Sequence, residues 1–72
     1  MSVEQAREQA LARCRDDLIS ARGDAALAMG LAGLGTDEGD RIVALRDLIT
    51  GALDYMRAAL GVRVDDDAYD TR

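Results

Sequence analysis

The stretch Thr36–Gly61, TDEGDRIVALRDLITGALDYMRAALG, decides the fold. Its apolar residues Ile42, Leu45, Leu48, Ile49, Ala52, Leu53, Met56, Ala59 and Leu60 recur at steps of three and four, the spacing that lines one side of a helix of 3.6-residue period. Asp40, Asp47 and Asp54 fall seven residues apart on the water-facing side, so inside and outside are both assigned. Thr36 or Asp37 supplies an N-cap, acidic residues in the first turn suit the positive end of the helix dipole, and Gly61 ends the helix. An apolar face this wide has to be covered by something.

Upstream, Ser2 to Arg22 is rich in Ala, Leu, Glu, Gln and Arg and contains no Gly, a composition that favours helix. Ser2 and Gln5 have the form of a capping box, with Glu4 in the first turn. Leu11, Cys14, Leu18, Ala21, Ala25, Ala28 and Ala32 form a narrow seam of mostly small residues, which lets a second helix come close. Arg13 and Asp17 are spaced to pair on its flank. Gly23 could end one helix, with Asp24 capping the next, giving three helices; the seam stays in register across Gly23, which favours one long helix. Gly30, Gly33 and Gly35 then loosen the chain toward a turn at Gly35-Thr36-Asp37-Glu38.

The expected architecture is therefore all-α: an antiparallel helical hairpin of about Ser2–Leu34 and Thr36–Leu60. It is expected to dimerise so that two wide faces close into a four-helix arrangement, with Ile42, Leu45, Ile49, Leu53, Met56 and Leu60 at the interface between copies. Residues 1–61 make up the helical domain, and 62–72 form an acidic tail without apolar period, expected to be mobile.

Composition supports self-association. Chains of 72 residues lie near the limit at which one core outweighs conformational entropy. This one has no Phe and no Trp, and thirteen of its apolar residues are Ala, each burying little area. All nine basic residues are Arg, and the net charge of -5 without a basic cluster argues against direct nucleic-acid binding, which draws its affinity from cations on phosphates. Cys14 is the single cysteine, so it forms no internal disulfide; it reads as a small buried residue in a reducing compartment. The opening segment carries Glu4 and Glu8 instead of a secretion signal, and the longest uncharged run, Ala25 to Thr36, is twelve residues, too short to span a bilayer. A cytoplasmic, membrane-free protein is expected.

Enzyme chemistry is not expected, because the chain has neither His nor Lys and Cys14 has no imidazole to generate a thiolate. Glu4 and Glu8 lack the second acidic pair with which all-α nucleotide pyrophosphatases bind magnesium. Gly30 to Gly35 lacks the Lys-Ser or Lys-Thr of a phosphate loop. Asp65, Asp67 and Asp70 lack the Gly and closing Glu of a calcium loop, so no metal and no cofactor are expected.

Two binding readings remain. In the first, the chain is a small adaptor or inhibitor, of the kind a phage or mobile element encodes, whose acidic row Asp40, Asp47 and Asp54 is offered to a partner protein. In the second, a nucleotide-type ligand binds between protomers, stacked on Tyr55 and gripped by Arg57 or by Arg41 of a neighbouring chain. The helix opened by Arg41 is similar to small phage proteins that sequester cyclic dinucleotides in helical oligomers; it lacks that family's aromatic signature, so no site residue is carried over.

Overall fold

A computed structural model describes residues 2–64. The chain forms two helices, α1 (Val3–Ala32) and α2 (Asp37–Leu60), joined by a four-residue turn into an all-α hairpin. The Ser2 hydroxyl accepts from the Gln5 amide at 3.1 Å while the Ser2 amide donates to Gln5 Oε1 at 3.2 Å, so the expected capping box closes. α1 runs through Gly23 without a break, and the three-helix alternative is not adopted. A Cβ built on Gly23 meets nothing within 4 Å, so this glycine serves no close packing.

α1 stops at Ala32, two residues short of the expected Leu34, because Gly33 leaves helical geometry with φ 95°. Its amide still donates to the Met29 carbonyl at 3.1 Å. Thr36 then ties the two helices together. Its hydroxyl donates to the Gly33 carbonyl at 2.8 Å and accepts from the Gly39 amide at 2.9 Å, so one side chain satisfies both the carbonyl of the residue that caps α1 and an orphan amide of α2. Gly39 is buried against this turn; a Cβ there would collide with the Gly33 carbonyl oxygen and lie 3.0 Å from Thr36 Oγ1. Close approach, not backbone conformation, requires glycine at 39.

The helices pack along the expected small-residue seam. Ala25 is buried, with Leu11, Leu18, Ala21, Ala28 and Ala32 half-buried beside it. From α2, Leu53 (2% exposed) and Met56 (5%) fill the interior, with Ile42, Val43 and Ile49 half-buried around them. Cys14 departs from expectation and is exposed: the contact runs through Leu11, Arg15 and Leu18, leaving position 14 on the flank of a two-helix pair that has no third element among the described residues. The expected Arg13–Asp17 pair does not form; Arg15 Nε instead meets Asp16 at 3.0 Å.

Gly61 ends α2 in the left-handed region (φ 70°), and the Val62 amide turns back to the Met56 carbonyl at 3.1 Å. Val62 and Val64 are half-buried, and Arg15 Nη1 donates to the Arg63 carbonyl at 2.9 Å. Residues 62–64 thus lie against α1. The remainder of the expected tail, 65–72, lies outside the described residues.

Candidate interaction surfaces

At 100° per residue, α2 divides into three faces. Ile42, Ile49, Leu53 and Met56, four of the six residues expected between copies, are turned to α1 within one chain. Leu53 and Met56 are consequently not available to a partner, whereas Leu45 and Leu60 remain exposed. Beside that core face lie Arg46, Asp47, Asp54 and Arg57, the only charged residues between Ile42 and Leu60, and all four fall within about 100° of the circumference. The third face carries Leu48 (73% exposed) and Tyr55 (64%) with Leu45.

Asp40, Asp47 and Asp54 are all exposed, and the row is partly neutralised on its own helix. Arg57 Nη2 binds Asp54 at 2.9 Å, and Arg46 Nη2 lies 3.6 Å from Asp47. Such exposed pairs are worth roughly 0–1 kcal/mol and leave the carboxylates accessible. The alternative ligand residues are not brought together. Arg57 points to Asp54, on the other side of α2 from Tyr55, and Arg41 precedes Tyr55 by about four turns, about 21 Å along the axis.

Two features escaped the sequence reading. Leu27 (64% exposed), Leu31 (81%) and Leu34 (79%) stand at the closed end of the hairpin, beside the acidic first turn Asp37, Glu38 and Asp40. Leu27 and Leu31, four apart, lie off the seam of Ala25, Ala28 and Ala32, and that offset was the available signal. Folding also sorts charge by position: from Asp24 to Asp47, five carboxylates face two arginines, while the rest of the described chain has five carboxylates and six arginines. The closed end is therefore both acidic and apolar.

At the open end, an open groove of about 460 Å³ is lined by Arg7, Glu8, Arg15 and Arg63 together with Leu11, Leu60 and Val62. Arg7, Leu11 and Arg15 repeat at four-residue steps, but the contribution of residues 60–63 depends on the hairpin closing. Among the described residues, no group of His, Cys, Asp or Glu is placed to hold a metal ion, and no helix is long and apolar enough to cross a membrane. No protein-family model, curated protein or solved structure matches this chain.

Proposed function

We propose that this chain is a small cytoplasmic protein-interaction module, an adaptor or inhibitor, that self-associates through its helices and occupies the surface of a basic partner protein. The observation that carries this reading is the closed end of the hairpin, where Leu27, Leu31 and Leu34 are exposed beside Asp37, Glu38 and Asp40. Exposed leucines supply area that becomes favourable on burial, at about 25 cal/mol per Å². The carboxylates steer a basic partner toward them, and Asp40, Asp47 and Asp54 extend the same charge down α2.

The test is capture from an extract of the source cells, with wild type compared against Asp40→Asn/Asp47→Asn/Asp54→Asn and against Leu31→Ser/Leu34→Ser. All five positions are exposed, so both variants should keep their helicity. A basic protein retained by wild type, weakened by salt and lost from both variants is the expected result. A partner indifferent to salt and to both sets of substitutions contradicts this reading.

The groove at the open end supports a second reading, in which Arg7 and Arg15 grip the phosphate of a small nucleotide-type ligand beside Glu8. It lies within one chain instead of between copies. Thermal shift with nucleoside mono- and diphosphates, lost in Arg7→Ala, would favour it; no shift with any of them would count against it.

A further inference from the structure

The face of α2 that the hairpin leaves uncovered has the pattern of an interhelical seam. Leu45, Leu48, Ala52, Tyr55 and Ala59 alternate steps of three and four, the a/d spacing whose geometric complement is another α-helix. Leu48 and Tyr55 are 73% and 64% exposed, Leu45 and Ala59 are exposed and Ala52 is half-buried at the edge toward α1, and Gly51 on the outer flank has nothing within 4 Å of an added Cβ, so a second backbone can approach. The seam carries no charge, which gives an acidic or basic partner nothing to pair with there.

Side-chain size identifies the occupant and its direction. Leu48, Ala52, Tyr55 and Ala59 run large, small, large, small. In a parallel pair each residue meets itself, leaving Ala against Ala between layers of Leu against Leu and Tyr against Tyr. In an antiparallel pair a shift of register sets Ala52 against Tyr55 of the second copy and Leu48 against its Ala59, so each layer formed by these four positions holds one large and one small residue, as close packing requires, and Leu45 lies beyond the last layer. The face is thus complementary to itself under a two-fold rotation, the commonest symmetry of protein dimers. The monomer also needs such cover: Ala25, Leu53 and Met56 are its only buried hydrophobic residues among those described.

We propose that Leu48, Ala52, Tyr55 and Ala59 of α2 form an antiparallel, two-fold homodimer seam with the same residues of a second copy. This deepens the self-association in the function proposed above, and its test does not depend on the basic partner.

Light scattering should give twice the 7.7 kDa chain mass for wild type and the single-chain mass for Leu48→Arg, whose new charge lies outside the hairpin interior. A wild type that is monomeric and folded, or a Leu48→Arg chain that stays dimeric, overturns the proposal. Disulfide trapping decides direction, and covers the case in which Leu48→Arg does not fold. With Cys14 replaced by Ser, chains carrying Ala52→Cys and chains carrying Tyr55→Cys should cross-link when mixed and oxidised. Neither should cross-link alone to a comparable extent. Efficient linking of each variant to itself would mean a parallel pair, and no linking in any mixture would mean a different interface; either result overturns the antiparallel seam.

Discussion

Gly23 and Gly39 are both helical glycines, and alanine should act on them in opposite directions. At Gly23 the added methyl meets open space, so Gly23→Ala gains helix propensity of about 0.5–1 kcal/mol. At Gly39 it would collide with the Gly33 carbonyl oxygen and displace the Thr36 hydroxyl that joins the helices, a loss of about 1–3 kcal/mol. At about 4–8 °C per kcal/mol for a chain of this size, thermal melts should rise for the first variant and fall for the second. Equal shifts would show that the contact at Gly39 is not what fixes the turn. Nothing in residue spacing reveals this difference. In the sequence Gly39 reads as a weak residue in a first helical turn, and its necessity comes from a carbonyl six positions earlier, brought close only by turn geometry. Cys14 failed for a related reason: its spacing put it on the seam, but the axis of contact passes through Leu11, Arg15 and Leu18 instead.

At the scale of elements, local signals were legible. The Ser2–Gln5 box, the Thr36 cap and the left-handed Gly61 stand where short-range chemistry placed them, and the register of the seam across Gly23 correctly favoured one helix. The docking of the segment after Gly61 was not legible, because two valines separated by an arginine show no periodicity and their anchor, Arg15, is forty-eight residues from Arg63 in sequence. This segment gives a prediction. A chain ended after Gly61 loses the hydrogen bond from Arg15 to the Arg63 carbonyl and the partial burial of Val62 and Val64, together about 1–2 kcal/mol. It should melt several degrees below a chain ended after Val64. Coincident melting curves would mean that the docked residues add nothing to stability.

For the whole molecule, three buried hydrophobic residues among those described stand against a series of exposed leucines, and that imbalance was only half visible in the sequence. The wide apolar face of α2 was evident from period alone. Its division between α1 and an uncovered seam was not, because a single amphipathic pattern does not say how much of its width a partner helix covers. The acidic stretch from Asp24 to Asp47 is contiguous in the sequence, and the hairpin places it at the closed end beside the exposed Leu27, Leu31 and Leu34. A hairpin with so small an interior should gain much of its stability from association, and folding linked to association makes the melting temperature depend on chain concentration. The most direct test is to melt the wild-type chain by circular dichroism over about a hundredfold range of concentration. The melting temperature should rise steadily with concentration. A cooperative transition at the same temperature throughout, with the single-chain mass of 7.7 kDa in solution, would contradict it.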